Sequence, residues 1–144
     1  MTDSDTADCL FCRIASGDAP GHLVLDEPEV VGFLDRHPLF HGHTLVVPRR
    51  HVVTLPELPA ALIPPVIGAV QRVAAAVVDA FAAEGSFVAM NNVVSQAVPH
   101  LHVHVVPRRR KDGLRGFFWP RTRYESDEEM AAVAARLRRA IPRP

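Results

Sequence analysis

The stretch that most constrains the fold is residues 99–108, Pro-His-Leu-His-Val-His-Val-Val-Pro-Arg. His100, His102 and His104 alternate with apolar residues, and successive side chains of a strand point to opposite faces. The pattern therefore predicts a strand with three imidazoles on one face and a hydrophobic anchor on the other. At about 3.3 Å per residue the outer two Cβ atoms lie roughly 13 Å apart. Such a row can line a phosphate-containing ligand but is too long for all three to bind one metal ion unaided.

The rest of the chain predicts more strands around this one. Alternating and β-branched runs predict a hairpin of strands at 22–26 and 30–35, a buried strand at 43–48 and another strand at 86–92. Together with the histidine strand, they form a mainly antiparallel sheet of about five strands.

Apolar residues at helical spacing predict one long helix from about Pro64 to 84, with Gly85 as its terminator. A short helix at 9–16 and a C-terminal helix at 126–141 complete an α+β fold. We predict one domain over 9–144, with an irregular Arg-rich and aromatic segment at 108–125. A polar tail over 1–8, predicted to be disordered, precedes it.

The charge balance argues against two classes of partner. The 16 basic residues equal the 16 acidic residues, so we expect neither specific nucleic acid binding nor attraction to an anionic membrane. The acidic start lacks the apolar core of a secretory signal, and we expect no uninterrupted apolar stretch to reach the length that spans a membrane. We expect a cytoplasmic protein. The basic run 108–111 indicates a solvated strand end more than a nucleic acid surface, and a third interpretation is that it attracts polyphosphate.

Both cysteines lie in a Cys-x-x-Cys spacing, as Cys9 and Cys12. In a reducing compartment this spacing favours metal or redox chemistry over a structural disulfide. Two interpretations stay open, namely a pair of buried thiols and half of a tetrahedral zinc site. Redox catalysis is less favoured because no thioredoxin-like βαβ pattern surrounds the pair.

The three alternating histidines favour attack on an electrophile that carries negative charge. Imidazole titrates near neutrality, so it can act as a nucleophile, as an acid or base, or as a donor to a phosphate oxygen. Neighbouring imidazoles also disfavour each other's charged forms. A metal-dependent hydrolase is an alternative because His-x-His opens many metal centres, although no carboxylate accompanies these histidines in the sequence.

The motif at 100–106 resembles the signature of the histidine triad (HIT) nucleotide hydrolases and transferases, in the bacterial form with an N-terminal Cys-x-x-Cys. The segments 9–14, 31–35 and 42–51, the pair Asn91-Asn92, and Gln96 follow the family's order and nearly its spacing. The likeness covers roughly residues 9–108.

The resemblance implies a homodimer that binds a purine nucleotide. It would cleave a phosphoramidate, phosphoanhydride or dinucleoside polyphosphate through a covalent nucleotidyl-histidine, with no metal needed for catalysis. His102 matches the nucleophile, His104 the donor to the phosphate oxygen, and His43 a histidine beside the phosphate. Gln96 would contact the phosphate and position water, and Asn91 would hold the phosphate or ribose edge.

The remaining implied roles concern the nucleoside and a metal. Asp35 matches the carboxylate that accepts the ribose hydroxyls, and Trp119 would close the partner's pocket. The apolar residues that match the clamp on the base are Leu10, Phe11, Ile14 and Phe33. A branch of the family binds structural zinc through positions that match Cys9, Cys12, His51 and His100.

Two departures from the family pattern affect these expectations. Only three residues separate Asn92 from Gln96, so the loop is expected to be tight and the identity of the phosphate-facing Asn is open. Ala97 stands where close relatives often have Ser or Thr, which weakens or alters any activity in which that hydroxyl helps the leaving group depart. A nucleotide-binding regulator without turnover is therefore the alternative from a different class.

Overall fold

The computed structural model describes residues 6–114 and 122–142. Its strands form one antiparallel sheet in the order β1-β2-β3-β5-β4, which confirms the predicted α+β fold. The strands are β1 Leu23–Asp26, β2 Val30–Leu34, β3 Thr44–Pro48, β4 Gly85–Ala89 and β5 Val103–Arg108. The α-helices of the described residues are α1 Leu10–Ser16, α2 Ile63–Ala80 and α3 Asp127–Ala140, and short 3₁₀ turns at Leu55–Glu57 and Ala60–Leu62 precede α2.

Helix α2 covers one face of the sheet. Its buried residues Val66, Val70, Val73 and Val77 pack in one cluster with Leu101, Val103 and Val105. The apolar half of the histidine segment therefore anchors the sheet to the long helix, as its alternation predicts.

The stretch Ala60–Ala80 is long and apolar enough to cross a membrane by length and composition alone, with a mean hydropathy of 1.7. This corrects the expectation that no stretch reaches that length. The core helix of a globular domain meets the same criterion, and the inner stripe of α2 is buried against the sheet.

Helix α1 covers part of the opposite face. Phe11 and Ile14 pack with Val31, Phe33 and Leu45 in a second buried cluster. Gly17, with a left-handed φ of 88°, ends α1, and its N–H donates to the Ile14 carbonyl. The sheet is thus buried on both sides where these helices pack, and the histidines lie on the α1 side.

The predicted boundaries differ from the structure by more than one residue in three places. Strand β5 begins only at Val103, because its neighbour β3 ends at Pro48. The irregular chain that follows β3 contacts the histidine segment instead, where the Leu101 N–H donates to the Val52 carbonyl at 2.6 Å. Helix α2 ends at Ala80, so Gly85 begins β4 and does not terminate the helix. Strand β4 ends at Ala89, before the predicted 92.

The chain divides into two compact units, one ending at Asp112 and the other beginning at Gly113. The single domain over 9–144 therefore stays a prediction. Of the predicted tail, the structure describes 6–8, where Thr6 and Ala7 have helical backbone. Arg108 belongs to β5, whereas 109–114 and 122–126 contain no helix or strand.

The second unit contains α3, which begins as its capping sequence predicts. The Ser126 hydroxyl accepts the Glu129 N–H at 3.1 Å. Three large apolar side chains of this segment, Met130, Leu137 and Ile141, are exposed.

Candidate active site and metal centre

His43 and His104 form a hydrogen-bonded pair across β3 and β5. His43 Nε2 lies 2.9 Å from His104 Nδ1, and the Leu39 N–H donates to His43 Nδ1 at 3.1 Å. Because His43 Nδ1 accepts, its proton is on Nε2, which donates to His104 Nδ1. The network therefore assigns the His104 proton to Nε2, where it is a hydrogen-bond donor.

Burial keeps this pair neutral. Desolvation lowers the pKa of His43, against the opposing effect of Asp35. It also lowers the pKa of His104 to about 4, with further lowering by His102 and His43. A neutral imidazole at position 104 still offers one N–H, so it can donate to an anionic oxygen at neutral pH.

His102 presents the opposite chemistry beside this donor. Its Nδ1 donates to the main-chain carbonyl of His100 at 2.7 Å, which leaves Nε2 unprotonated. The ring centroids of His102 and His104 are 5.0 Å apart, and the edge-on ring of Phe11 lies 5.2 Å from that of His102. A nucleophilic nitrogen and a hydrogen-bond donor are thus adjacent, in a nearly dry position where His102 is 5% exposed.

A carboxylate accompanies the histidines in space, although none lies near them in the sequence. Asp35 Oδ2 lies 3.6 Å from His43 Nε2, while Oδ1 accepts the His37 N–H at 2.8 Å. Strand pairing brings this residue from the end of β2, so spacing along the chain gives no sign of it. Asp35, His43 and His104 each offer a donor atom within 4.8 Å of the others. A metal held there would displace the hydrogen bond between the two histidines.

The second group of donors lies at the start of α1. Cys9, Cys12, His51 and His100 come from three separate segments, and their ligand atoms lie within 4.8 Å of one another. His100 Nδ1 is 3.4 Å from each sulfur, and His51 Nδ1 is 3.3 Å from Cys12 Sγ. The resemblance predicts this set, and the structure brings all four together.

The donor chemistry of this cluster suits zinc. His100 Nε2 donates to the Pro48 carbonyl at 2.8 Å, so the lone pair of Nδ1 faces the sulfurs. Tetrahedral zinc, with bonds of about 2.3 Å to sulfur and 2.0–2.1 Å to nitrogen, separates such donors by about 3.6 Å. Burial and the neighbouring Cys9 raise the pKa of Cys12 to about 12, so without a metal this thiol is protonated.

Gln96 and Asn91 hold the loop between β4 and the histidine segment. The Gln96 amide accepts the Val93 N–H at 3.0 Å and donates to the Val53 carbonyl at 2.7 Å, and Asn91 donates to the Ser95 carbonyl at 3.2 Å. Val93 and Ser95 have left-handed φ angles of 69° and 62°, which are strained for such side chains. The shortened loop is tight, as predicted, and the phosphate roles of both amides stay predictions.

The predicted base clamp is mostly core. Phe11, Ile14 and Phe33 are buried, whereas Leu10 is 48% exposed. Phe11 also packs edge-on against Phe33 at a centroid distance of 5.3 Å. Their contact with a base stays a prediction, and Trp119 lies outside the described residues.

Two cavities among the described residues have the size of a small-ligand site. One, of about 700 Å³, is lined in part by Cys9, His51 and Ala97. The other, of about 790 Å³, lies against the turn at 38–41. Neither is lined by His102 or His104, so the histidine pair lies outside both.

Comparisons with known proteins agree with this geometry. The HIT domain family matches residues 16–111. The chain is 32% identical over 109 residues to an adenylylsulfatase of Arabidopsis thaliana, covering 74% of this chain but only 55% of that longer protein. It is 27% identical over 120 residues to an adenosine 5'-monophosphoramidase of Candida albicans, covering 79% of each.

Solved structures give the same result. A HIT family protein from Bacillus subtilis superposes with a TM-score of 0.87 at 29% identity, covering 95% of this chain and 99% of that one. A zinc-bound histidine triad family protein from Mycobacterium smegmatis gives a TM-score of 0.72 at 37% identity, covering 94% and 99%.

Proposed function

The chain belongs to the HIT domain family, and from that membership we propose that it is a nucleotide hydrolase or nucleotidyl transferase in which His102 bonds covalently to phosphorus. The observation that carries the proposal is the hydrogen bond from His102 Nδ1 to the His100 carbonyl. It fixes the tautomer in which Nε2 has a free lone pair. An imidazole held in this form needs no separate base to attack.

The reaction would proceed in two displacements at one phosphorus atom. His102 Nε2 forms a bond to phosphorus while the bond from phosphorus to the leaving heteroatom breaks, and the leaving group takes that electron pair. Water then bonds to the same phosphorus, the nitrogen–phosphorus bond breaks, and its electron pair returns to Nε2 as the water proton passes to solvent. In a transferase, another acceptor replaces water.

His104 stabilises the charge that develops during both steps. Its Nε2 proton, assigned through His43 and the Leu39 amide, is available to a phosphate oxygen. A donor fixed before the reaction costs no reorganisation when charge develops. Asp35 is available for ribose hydroxyls. Its Oδ1 accepts the His37 N–H, and a carboxylate oxygen can accept a second hydrogen bond.

The proposed substrates are purine nucleoside phosphoramidates, dinucleoside polyphosphates and adenylyl sulfate. The similarity to an adenylylsulfatase and to an adenosine 5'-monophosphoramidase supports an adenylyl half. Ala97 has no hydroxyl to protonate a departing group. Leaving groups that are stable as anions, such as sulfate or a phosphate, are therefore favoured over amines.

A structural zinc ion belongs to the proposal. Cys9, Cys12, His51 and His100 would hold it, and it would fix the start of α1 against the histidine segment. The zinc-bound Mycobacterium smegmatis protein supports this assignment. Catalysis itself is proposed to need no metal.

A cytoplasmic homodimer is also part of the proposal. Strand β4 lies at the edge of the sheet, and such an edge is available for pairing with a second copy.

The experiment is the capture of the covalent intermediate. The wild type incubated with adenosine phosphoramidate, and analysed by mass spectrometry without acid, should carry AMP on His102. The His102→Ala variant should lose turnover by about 10³- to 10⁴-fold. Equal AMP release by both proteins would contradict the proposal.

Two outcomes identify the alternatives. Binding of AMP without any adduct or turnover indicates a nucleotide-binding regulator. Loss of turnover on thorough chelation, with the fold intact, indicates a metal-dependent hydrolase that uses Asp35, His43 and His104, which the structure brings together.

A further inference from the structure

The cavity of about 790 Å³ lies where three segments of the first unit meet. The turn at 38–41, the chain after α2 at 81–83, and the segment 107–112 line it. Its size falls in the range of sites for small organic ligands. The proposed chemistry at His102 makes no use of it.

One side of the cavity is cationic. Arg109, Arg110 and Lys111 line it, against a single carboxylate, Asp112. That carboxylate is already paired with Arg108, whose Nε and Nη2 lie 2.5 and 3.0 Å from its oxygens. The cavity therefore has an excess of positive charge, in a chain whose net charge is zero.

Two of these cations already have partners. The Arg109 guanidinium donates to the main-chain carbonyl of Phe81. Arg110 Nε lies 3.0 Å from a Glu84 oxygen, but the Arg110 side chain is 90% exposed. Such a surface ion pair is weak, so Arg110 can exchange it for an anionic ligand.

The other side is apolar and partly aromatic. Phe40, Phe81 and Pro107 line it, and Phe81 is 39% exposed in spite of its size. The backbone of Gly42, with φ of 95°, lies so close to the Phe81 ring that a Cβ there would be 2.4 Å from a ring carbon. This contact fixes the ring as a flat wall.

Lys111 carries an independent sign of a functional role. Its φ is 61°, a left-handed conformation that is strained for a residue of this type. Lysine thus stands at a backbone position that suits Gly or Asn better. Among the residues that the structure describes, it forms no ion pair.

The geometry points to a second ligand site, distinct from the histidine cluster, that binds a small aromatic phosphate such as a nucleoside monophosphate. The ring lies against Phe40 and Phe81, and the phosphate is bound by Arg110 and Lys111. A cationic rim beside an aromatic wall matches a ligand with an anionic end and a flat end.

The site adjoins the catalytic cluster without sharing its side chains. The turn that supplies Leu39 and Phe40 to the cavity also supplies the N–H that donates to His43 Nδ1. Ligand binding can therefore be measured whether or not the protein has turnover.

The experiment follows main-chain amide resonances of the ¹⁵N-labelled full chain during titration with AMP, adenosine or inorganic phosphate. AMP is expected to shift the amides of Phe40, Phe81 and Lys111 with saturation. Adenosine and phosphate should each bind there more weakly, because each satisfies one side of the cavity. Lys111→Asn, which tolerates the left-handed backbone, should weaken AMP binding at these amides about 3- to 10-fold.

The control is Arg136→Gln, which removes one positive charge from α3 in the other unit. It should leave the AMP dissociation constant at the cavity unchanged, and Lys111→Asn should leave the shifts at His102 and His104 unchanged. The proposal is overturned if AMP shifts only the histidine amides, or if Lys111→Asn binds AMP as the wild type does. It is also overturned if inorganic phosphate binds the cavity as tightly as AMP.

Discussion

The two histidine clusters use the same side chain in opposite orientations. His100 donates from Nε2 to the Pro48 carbonyl and presents Nδ1 to two thiols. His102, only two residues later, donates from Nδ1 to the His100 carbonyl and presents Nε2. The main-chain oxygen that each ring meets therefore decides which ring nitrogen keeps a free lone pair, and so which of the two proposed roles, metal ligand or nucleophile, the ring can take.

The surroundings of the two rings reinforce this difference. His100 is fully buried beside Cys9 and Cys12, and burial lowers its pKa to about 4. His102 instead lies against Phe11 and the ring of His104. A zinc ligand needs other metal-binding atoms, such as thiolate sulfurs, around it. A nucleophile instead needs a neighbouring hydrogen-bond donor to stabilise the negative charge that its attack creates.

The largest expected effect is on metal content and stability. Cys9→Ser should abolish zinc binding, while His102→Ala should keep about one zinc ion per chain, because only the first removes a ligand. At zinc about 1,000 times its dissociation constant, the wild type should gain about 4 kcal/mol in the free energy of unfolding over the metal-free protein. Metal analysis and chemical denaturation, with and without chelator, measure both quantities.

Equal zinc content in Cys9→Ser and the wild type would remove the distinction between the clusters. The distinction would also be removed if the wild type, purified without added metal, contains no zinc and its free energy of unfolding does not change when zinc is added.

The second expected effect is on turnover. His43→Phe removes the donor to His104 Nδ1, so the His104 proton is no longer held on Nε2, and turnover should fall about 10- to 100-fold. His43→Gln, whose amide can donate, should restore part of the loss. Zinc content should not change in either variant. A His43→Phe enzyme with wild-type kinetics would show that His104 does not depend on this hydrogen bond.

A smaller effect is expected at Ala97, in the segment that leads into both clusters. Ala97→Ser supplies a hydroxyl, and turnover of adenosine phosphoramidate should rise about 3- to 10-fold. Turnover of adenylyl sulfate should not change, because sulfate departs without a proton. Parallel assays of the two substrates test this, and an equal change in both would exclude a role in protonating the leaving group.

The smallest effect is on the pH dependence of stability. The pKa of His104 is about 4 in the folded chain against an ordinary value of 6.5. Between these values the unfolded chain binds the proton more readily, so the contribution of His104 is complete above pH 6.5 and is lost as the pH falls toward 4. His104→Gln should therefore show a shallower fall in unfolding free energy between pH 7 and 4.5. If His104→Gln leaves the pH dependence of the unfolding free energy unchanged, burial of the His104 ring does not cause that dependence.

The sequence predicted the sheet and both faces of the histidine segment, and its resemblance to the HIT family predicted that Cys9, Cys12, His51 and His100 lie together. Alternation suffices for the faces, because Leu101 and Val103 could only be buried against an apolar helix. It could not predict that β5 begins at Val103, which depends on where the neighbouring strand ends. Nor could spacing along the chain place Asp35 beside His43, since the pairing of strands brings them together. The tautomers of His102 and His100 were also out of reach, because they depend on main-chain carbonyls two and fifty-two residues away.

The acceptor that orients His102 is a main-chain oxygen, and this affects how the chain can be changed. A substitution at position 100 replaces the imidazole but leaves the main-chain carbonyl. Mutation can therefore separate the side chain that joins the cysteine–histidine cluster from the oxygen that orients the His102 ring. We therefore expect His100→Cys to alter the cysteine–histidine cluster while the His102 ring keeps its orientation. The orientation of this ring depends on the path of the backbone at position 100 and not on the side chain that stands there.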